Sequence, residues 1–344
     1  MVNYNINLNN KTILITGIAG FIASNLARYI LNNVDDVLIV GIDSMNDYYD
    51  VQLKEMRLCE LDKYNDKFMF IQGDISDALF VKSIFDIYKP HIVVNLAAQA
   101  GVRYSITNPD TYIQSNIIGF YNILEACRHN NQLQHLVYAS SSSVYGNNNH
   151  IPYSTDDKCD EPVSLYAATK KSNELFAYTY SKLYNIKTTG LRFFTVYGPC
   201  GRPDMAYFDF ANKLCAGDNI KIFNYGNCKR DFTYIDDIVC GIYHVMQHYP
   251  ETDVPYKIYN IGNGQPVSLL YFITILQDEL VKHGLLPQNY DFDSHKQFVE
   301  MQPGDVEITY ADTSELKKDF GYCPQTSLQD GLHEFVKWYK TYKN

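Results

Sequence analysis

The sequence predicts an α/β fold in which a doubly wound parallel sheet is followed by a smaller C-terminal lobe. Short apolar runs alternate with longer helical stretches over residues 11–195. The runs are apolar without interruption, which indicates strands that are covered on both faces. Glycine, proline or polar clusters bound each run. Together these observations are typical of a parallel sheet with helices on each side.

Six runs are predicted as strands of this sheet, in the order KTILIT, VLIVGID, FMFIQGD, HIVVNLAA, HLVYASS and TTGLRFF. We assign residues 1–195 to the domain that they build. After Tyr197 the pattern loosens into loops rich in glycine, proline and aromatic residues, so residues 196–344 are assigned mainly to the second lobe. Helices are predicted there near 236–248, 268–283 and 328–342. A further run, YKIYNIG at 256–262, is predicted as a strand able to rejoin the main sheet, so we do not expect a clean boundary.

Composition excludes one class of partner. The chain has 344 residues, of which 46% are hydrophobic, enough for a large core. Lysine and arginine number 29 against 39 aspartates and glutamates, for a net charge of −10. Because no surplus of cations is left to neutralise a phosphate backbone, we expect no nucleic-acid partner.

No targeting or membrane segment is expected either. No apolar run approaches the roughly 20 residues that a spanning helix needs, and the N-terminal MVNYNINLNN lacks the basic start of a secretory signal. The eight cysteines are scattered, without the paired spacing of a zinc site. We therefore expect a soluble, cytoplasmic protein with reduced thiols, no membrane partner and no bound metal.

A glycine-rich turn directly follows the first predicted strand. In TGIAGFIA, Gly17 and Gly20 precede a predicted helix that opens at Phe21 and Ile22. Glycine lets the backbone approach a pyrophosphate, and the helix N-terminus offers unpaired N–H groups and a partial positive charge. This context favours a dinucleotide site, although any tight strand–helix connection could use such a turn. Ala23 stands where glycine is commoner, and its methyl group should tighten the packing without abolishing the site.

Two aspartates follow the second and third predicted strands. Asp43 lies at the spacing from the glycine turn at which a carboxylate binds the adenosine ribose hydroxyls. A carboxylate there would repel a 2′-phosphate, so NAD is favoured over NADP. Asp74, in the GDI after the third strand, has the position to bond the adenine amino group. An exposed loop carboxylate is the alternative for Asp74.

A tyrosine and a lysine four residues apart form the candidate catalytic pair. Tyr166 and Lys170 share one face of a predicted helix, and the ammonium is expected to lower the phenol pKa from about 10 toward the working pH. Lys170 could also hold the nicotinamide ribose hydroxyls. A pair with this spacing is by itself a common coincidence in helices. Here it follows a strand that ends in SSSS at 140–143, whose hydroxyls could contact the reacting oxygen of a sugar.

Ordered motifs run over nearly the whole chain. The general ones are TGIAGFIA, NLAAQAGVRYS, SSSSVYG and YAATK. The more specific ones are DSMNDYYD, PVSLYAATKKSNEL, LRFFTVYGPCGRPDMA, KRDFTYIDDI, YNIGN and MQPGDVEITYADTS. In these motifs the chain resembles the extended short-chain dehydrogenase/reductase family, and most closely its UDP-glucuronate 4-epimerases. The resemblance implies a Rossmann-like domain, a tightly held NAD, a second lobe that clamps UDP, and a homodimer.

The resemblance also implies roles for individual residues. Tyr166 is the implied base with Lys170 as its partner, and Ser141 is the serine that hydrogen-bonds the sugar 4-oxygen. The implied cofactor-binding residues are Gly17, Gly20, Phe21, Ile22, Asp43, Asp74, Ile75, Leu96, Ala97, Ala98, Asn116, Tyr166, Lys170 and Phe193. The implied substrate-binding residues are Ser141, Ser142, Thr195, Arg202, Arg230 and Asp305. Among the latter, Arg230 and Asp305 match residues that contact the UDP diphosphate and ribose, and Arg202 matches an arginine near the hexuronate.

Three positions depart from related patterns. Cys200 replaces a tryptophan beside Arg202, which puts the loop shape and some substrate selectivity in doubt. Gln302 stands where galactose-type epimerases often carry arginine, a change that uronate-type enzymes tolerate. Ser143 stands where related decarboxylases and 4,6-dehydratases typically carry glutamate, and this missing carboxylate argues against both reactions.

The predicted activity is NAD-dependent 4-epimerisation of UDP-glucuronate to UDP-galacturonate through a 4-keto sugar, for the supply of polysaccharide precursors. Ser141, Ser142, Thr195 and Arg202 are expected to hold the carboxylate out of the alignment that releases carbon dioxide. Two alternatives stay open. One is a 4-epimerase of a neutral UDP-hexose or UDP-N-acetylhexosamine. The other is a non-catalytic nucleotide-binding module, against which the intact pair of Tyr166 and Lys170 argues.

Overall fold

The computed structural model of the protein describes residues 4–302 and 304–343. The strands, numbered along the chain, are β1 (Lys11–Thr16), β2 (Val37–Asp43), β3 (Phe68–Gln72), β4 (Ile92–Asn95), β5 (His135–Ser141), β6 (Thr188–Phe193), β7 (Thr195–Tyr197), β8 (Ile220–Ile222), β9 (Lys229–Tyr234), β10 (Tyr256–Ile261), β11 (Pro266–Ser268) and β12 (Lys296–Phe298). The helices are α1 (Phe21–Asn33), α2 (Val51–Asp62), α3 (Ala78–Tyr88), α4 (Tyr104–Thr107), α5 (Pro109–Tyr112), α6 (Gly119–Arg128), α7 (Leu165–Tyr184), α8 (Ala206–Ala216), α9 (Ile235–Met246), α10 (Leu269–Lys282), α11 (Ser314–Phe320) and α12 (Leu328–Lys343). A π-helical turn, Ile113–Ile118, joins α5 to α6.

The main sheet, within the described residues, has seven parallel strands in the order β10, β6, β5, β4, β1, β2, β3. Both of its faces are buried, since Ile13 and Ile15 of β1 enter one apolar cluster and Leu14 enters another. The predicted doubly wound α/β fold is confirmed. The order of strands reverses between β1 and β4, whose pairing ends at Thr16 and Asn95. In open parallel sheets, ligands bind in the crevice at such a switch point.

Two strands end two or more residues earlier than their apolar runs predict. β3 ends at Gln72 and β4 at Asn95. Residues 73–75 and 96–98 leave the sheet at these points and line a cleft. Residues 96–98 are apolar because they form a cavity wall, and the local hydrophobic pattern does not distinguish such a wall from a paired strand.

The C-terminal part of the chain returns to the main sheet. β10 pairs in parallel with β6, from Tyr256 opposite Thr188 to Ile261 opposite Phe193. The other late strands form a small sheet in the order β11, β9, β7 and a parallel pair of β12 with β8. One apolar cluster contains both Ile13 of β1 and Phe335 of α12. Strand pairing and core packing both cross the predicted boundary at 195/196. A division into two domains at that point therefore stays a prediction.

The helices of the second lobe match their predicted positions closely. α9, α10 and α12 begin and end within two residues of the ranges expected from the sequence. Across residues 4–302 and 304–343, none of the helices combines the length and apolar character needed to cross a membrane.

Candidate active site

A cleft of about 840 Å³ opens at the carboxyl ends of β1 and β4 and is lined by residues from both the N-terminal and the C-terminal parts of the chain. Its walls include Gly17, Gly20, Phe21, Ile22, Asp43, Asp74, Ile75, Leu96, Ala97, Ala98, Ser141, Ser142, Tyr166, Lys170, Phe193, Thr195, Arg202, Arg230 and Asp305. The fold thus brings together residues that lie far apart in the sequence. A single cavity of this kind offers room for a cofactor and a second ligand side by side.

Asn116 is the one candidate residue that does not line the cleft. Its side chain is 1% exposed and lies behind the wall. It accepts a hydrogen bond from the Gln99 backbone N–H at 2.8 Å and donates to the Gln99 carbonyl at 3.0 Å. It also donates to the hydroxyl of Thr169 at 3.1 Å. The structure therefore gives Asn116 a supporting position between the loop after β4 and helix α7.

The glycine turn after β1 requires glycine for two physical reasons. Gly17 has a φ of +70°, and a Cβ atom there would lie 2.9 Å from the backbone of Ala97. At Gly20 a Cβ atom would lie 2.8 Å from the carbonyl oxygen of Gly17. Helix α1 begins directly afterwards at Phe21, so its first N–H groups face the cleft. Ala23 is 1% exposed within the apolar core, which shows that the fold accommodates its methyl group.

The Asp43 carboxylate is fixed by the turn that it follows. It accepts hydrogen bonds from the backbone N–H of Ala19 at 3.1 Å and of Met45 at 2.9 Å. A carboxylate has about four acceptor positions, so some remain for ribose hydroxyls in the cleft. Asp74 also lies at the wall but is exposed, and one of its oxygens accepts from the Ser76 N–H at 2.8 Å.

Helix α7 presents both members of the candidate catalytic pair to the cleft. The Ser164 hydroxyl caps its N-terminus by accepting from the Ala167 N–H at 3.1 Å. The Lys170 Nζ atom donates to the carbonyl oxygen of Ala139 at 2.9 Å and lies 6.0 Å from the centre of the Tyr166 ring. Burial lowers the pKa of Lys170 to about 8.

The expected lowering of the Tyr166 pKa by Lys170 is wrong for the protein on its own. Burial raises the pKa of Tyr166 above 10, while the Ser141 hydroxyl and the charge of Arg202 lower it by less. Lys170 is itself desolvated and points to a carbonyl. Removal from water outweighs nearby charge here, because the phenolate loses more hydration than its neighbours return.

The end of β5 places its serines on different sides. Ser141 is 7% exposed; its hydroxyl accepts from the Ser143 N–H at 3.1 Å and donates to the Ser143 hydroxyl at 3.2 Å. The Ser140 hydroxyl points away, toward Glu174 at 2.6 Å. Phe193 and Thr195 lie next to this point, since Ser141 pairs with Phe193 across β5 and β6. Ser141 and Ser142 both line the cleft.

The predicted arginine of the second lobe has a partner that the sequence analysis missed. Arg202 forms a two-point ion pair with Asp204, in which Nε donates to Oδ1 at 2.9 Å. Tyr48 donates to Oδ2 of the same carboxylate at 3.2 Å. The GRPDM motif contained this signal, since Asp204 lies two residues after Arg202 in the same loop.

Arg230 and Asp305 both line the cleft. Arg230 donates through Nη1 to the carbonyl oxygens of Lys229 at 3.0 Å and Glu307 at 3.1 Å. Asp305 accepts from Arg103 Nη2 at 3.0 Å, which links the two lobes. Arg103 belongs to the NLAAQAGVRYS motif, but its pairing with Asp305 over 202 positions has no local signal in the sequence.

Another missed residue, Arg57, connects the glycine turn to the loop that carries Arg202. It is 2% exposed and donates to the carbonyl oxygens of Ala19 at 2.8 Å, Cys200 at 2.8 Å and Gly201 at 2.9 Å. Cys200 has a φ of +59°, a left-handed conformation that is strained for a residue with a side chain. The Arg57 hydrogen bonds hold this backbone in place where a tryptophan was expected to give bulk.

Among the described residues, the potential metal ligands come together in a group of three at Glu279, His283 and His333. The Lys282 ammonium lies 3.1 Å from Glu279 and 3.5 Å from the His333 Nδ1 atom. Since a lysine cation already pairs with this carboxylate, we describe the group as an ion-pair cluster between α10 and α12. It lies outside the cleft.

The glycine turn, the Tyr166 and Lys170 pair and the serine at the end of β5 define an extended short-chain dehydrogenase/reductase. The chain belongs to the family described as GDP-mannose 4,6 dehydratase, whose model matches residues 14–335.

Among known proteins, the chain is similar to protein CapI of Staphylococcus aureus, with 49% identity over 96% of this chain and 98% of that protein. It is 42% identical to UDP-glucuronate 4-epimerase 3 of Arabidopsis thaliana, over 97% of this chain and 77% of that one. A solved structure, the UDP-glucuronic acid 4-epimerase of Bacillus cereus in complex with UDP-glucuronic acid and NAD, superposes with a TM-score of 0.85. It is 34% identical and the match covers 96% of this chain and 99% of that chain.

Proposed function

We propose that this chain is an NAD-dependent enzyme that inverts C4 of UDP-glucuronate to give UDP-galacturonate through a 4-keto sugar, and that it supplies polysaccharide precursors. The observation that carries the proposal is the convergence of Tyr166, Lys170 and Ser141 in one cleft that begins at the glycine turn. The two UDP-glucuronate 4-epimerases that resemble nearly the whole chain support the choice of sugar.

The residues present fit a dinucleotide. A Cβ atom at Gly17 would clash with the Ala97 backbone, so the glycine leaves room for a pyrophosphate, and helix α1 begins shortly after the turn. Asp43 would hold the adenosine ribose, and its charge favours NAD over NADP. Lys170 would hold the nicotinamide ribose. Bound NAD would supply a reversible acceptor for the C4 hydride.

Tyr166 would act as the base for the 4-hydroxyl. Its phenolate accepts the hydroxyl proton, and its phenol returns a proton to the 4-oxygen after the sugar has presented its other face. Ser141 would orient the 4-oxygen by a hydrogen bond. A phenol with a pKa raised by burial is a strong base once it is deprotonated, which suits it to a secondary alcohol.

The carboxylate of the sugar needs restraint, because the 4-keto intermediate is a β-keto acid that loses carbon dioxide when its carboxylate bond aligns with the carbonyl π system. Thr195, Ser142 and Arg202 line the cleft near Tyr166 and would hold the carboxylate out of that alignment. An arginine fork can bond two carboxylate oxygens at once. Ser143 contributes a hydroxyl where a decarboxylase would be expected to carry an acid.

The nucleotide would stay anchored while the sugar turns. Arg230 lines the cleft with donor groups beyond its two carbonyl bonds, and would contact the diphosphate. Asp305 would contact the uridine ribose. Binding energy from this remote part of the substrate would keep the intermediate from escaping.

A homodimer is also part of the proposal. Helices α6 and α7 lie side by side, joined by a hydrogen bond between Tyr180 and Glu125. Large apolar side chains are exposed along these helices, at Tyr121, Leu175, Tyr178 and Leu183. Such a patch on a second copy of the same surface would be self-complementary. The free cysteines of the described residues are compatible with the proposed cytoplasmic location.

The test is turnover with separate sugars. Purified protein with NAD is incubated with UDP-glucuronate, UDP-glucose or UDP-N-acetylglucosamine, and the 4-epimers are resolved chromatographically. We expect UDP-galacturonate from the first substrate at a higher kcat/KM than from the other two. Preference for a neutral sugar would establish the alternative epimerase, and no turnover of any sugar would favour a non-catalytic module.

A further inference from the structure

A buried ion pair that the proposed chemistry does not use lies directly behind the catalytic end of the cleft. The side chains of Glu174 and Arg192 are each 2% exposed. Arg192 donates through Nε to Oε1 at 2.8 Å and through Nη2 to Oε2 at 2.9 Å. Buried pairs of this kind contribute little net stability compared with well-packed apolar side chains. Its location therefore calls for an explanation other than stability.

Glu174 continues the catalytic face of α7. Tyr166, Lys170 and Glu174 follow one another at intervals of four residues, so they lie on one side of the helix. Each of the last two is joined to the end of β5. Lys170 donates to the Ala139 carbonyl at 2.9 Å, and the Ser140 hydroxyl donates to Glu174 Oε1 at 2.6 Å. Two consecutive residues of β5 are thereby fixed to α7.

The next residue of the strand is Ser141. Successive side chains of a strand point to opposite faces, so the bond from Ser140 to Glu174 sets the direction in which Ser141 faces the cleft. Ser141 and Tyr166 both line the cleft, and the nearby Ser141 hydroxyl lowers the pKa of Tyr166 against the larger effect of burial. A small rotation of this strand end would change the distance between the Ser141 and Tyr166 hydroxyls.

The ion pair is held from its other side as well. The Arg192 guanidinium lies over the Tyr145 ring, 4.8 Å from its centre. The Tyr145 hydroxyl donates to Asn260 Oδ1 at 2.6 Å, and Asn260 donates to the Tyr153 carbonyl at 2.7 Å. Burial raises the pKa of Glu174, but Arg192 and the Ser140 hydroxyl outweigh burial, so the net pKa is lowered and the acceptor is ionised near neutral pH.

We propose that Glu174 is a positioning residue that acts through Ser140 to hold Ser141 in place relative to Tyr166, with Arg192 keeping the Glu174 carboxylate in its orientation. The proposal rests on the proposed function, because it assigns a purpose to the alignment of the catalytic groups. Glu174 itself does not touch the cleft. Misplacement of a reacting group by about 1 Å lowers turnover by about 10²-fold, so a partial loss of alignment should be measurable.

The first arm of the test removes the link and leaves the ion pair intact. Ser140→Ala in the NAD-loaded enzyme should lower kcat by about tenfold or more, with KM for the UDP-sugar nearly unchanged. Ser140→Thr keeps the hydroxyl and should recover most of the lost turnover. Lys171→Met is the matched control, since Lys171 also lies near Glu174, at 3.4 Å, but has no bond to β5; it should retain wild-type kcat. Wild-type kcat in Ser140→Ala would overturn the proposal.

The second arm asks whether the effect passes through Ser141. In a Ser141→Ala background, the further change Ser140→Ala should lower kcat by less than about threefold, because residues that act as one unit are non-additive. The same fold-loss in both backgrounds would mean that Ser140 serves the fold, and would overturn the assignment of a positioning role.

The third arm is independent of turnover. Amide hydrogen exchange in residues 139–143 should be faster in Ser140→Ala than in wild type, while exchange in β1 stays the same. If the wild-type protein converts no UDP-sugar, the proposed function fails on that result alone, and the exchange measurement decides the positioning role. Unchanged exchange in 139–143 would overturn it.

Discussion

The Arg202 guanidinium and the Asp204 carboxylate form a two-point ion pair in the wall of the cleft. Tyr48 donates to the same carboxylate, which fixes the partner of Arg202. Although Arg202 is paired, its charge lowers the pKa of Tyr166 in opposition to burial. One arginine in the wall of the cleft is therefore close enough to influence the Tyr166 phenol.

Replacing Arg202 should harm the charged sugar more than a neutral one. An interaction with a charged group contributes about 1.5–3 kcal/mol, so Arg202→Met should lower kcat/KM for UDP-glucuronate by about 10- to 100-fold. UDP-glucose has no carboxylate to lose, and its kcat/KM should fall less. Thr195→Ala should act in the same direction. Loosening the carboxylate should also yield a UDP-pentose side product, which chromatography resolves. Equal losses on both sugars without pentose would assign these residues to the diphosphate or the fold.

Removal of the Tyr166 hydroxyl should greatly lower turnover and leave the affinity for the UDP-sugar nearly unchanged. Tyr166→Phe keeps the ring that packs at 6.1 Å from the Tyr112 ring. Turnover should fall by about 10²–10⁴-fold, as is typical for loss of a general acid–base group. The dissociation constant of the UDP-sugar, measured by calorimetry, should stay within a few-fold. A mutant with near-normal turnover would remove Tyr166 from the mechanism.

The pH dependence of the reaction should report the phenol. The deprotonated fraction of Tyr166 increases with pH, so kcat/KM should increase with pH until the phenol has titrated. Because Ser141 lowers the pKa of Tyr166, Ser141→Ala should move the rising limb to higher pH. Profiles recorded between roughly pH 6 and pH 10 would test this. A limb at the same pH in both proteins would show that Ser141 does not act on the phenol.

A methyl group at the glycine turn should expel the dinucleotide. Gly17→Ala adds a Cβ atom 2.9 Å from the Ala97 backbone at a φ of +70°. Gly321→Ala is a matched control, because Gly321 has a φ of +67° but no atom within 4 Å of its Cβ position. Both changes carry the left-handed penalty of about 1–2 kcal/mol. Only Gly17→Ala should lower NAD affinity by more than tenfold, as measured by fluorescence titration. Equal NAD affinity in the two variants would show that the close approach at Gly17 does not shape the site.

Much of the fold was predictable because its signals are local. β1, β2 and β5 match their predicted runs residue for residue, since each is an uninterrupted apolar segment bounded by polar residues or glycine. β4 ends earlier than predicted, because the hydrophobic pattern of residues 96–98 is the same for a strand and for a cavity wall. β3 ends before Gly73 and Asp74, two residues of its predicted run that are not apolar.

The residues of the site that stand in sequence motifs were predictable. Those that are held by contacts between distant parts of the chain were not. The glycine turn, Tyr166 and Lys170 stand in motifs, and the structure places them in one cleft. Arg57 reaches the Cys200 carbonyl across 143 positions, and no short window of sequence contains that contact. The pKa of Tyr166 was predicted to be lowered but is raised, for a related reason. The spacing of Tyr166 and Lys170 shows which charge is near, but burial depends on packing by distant segments.

The return of β10 to the main sheet limits how the protein can be divided. A fragment ending near residue 195 would keep β6 and its neighbour β5 but would lose β10. The six residues of β6, Thr188–Phe193, would then have unpaired backbone groups along the outer edge of the sheet. Those residues are all buried in the intact chain. An apolar edge of this kind recruits strands from other molecules. Expression of the first lobe alone should therefore give aggregates, and a usable truncation would have to retain the chain through β10.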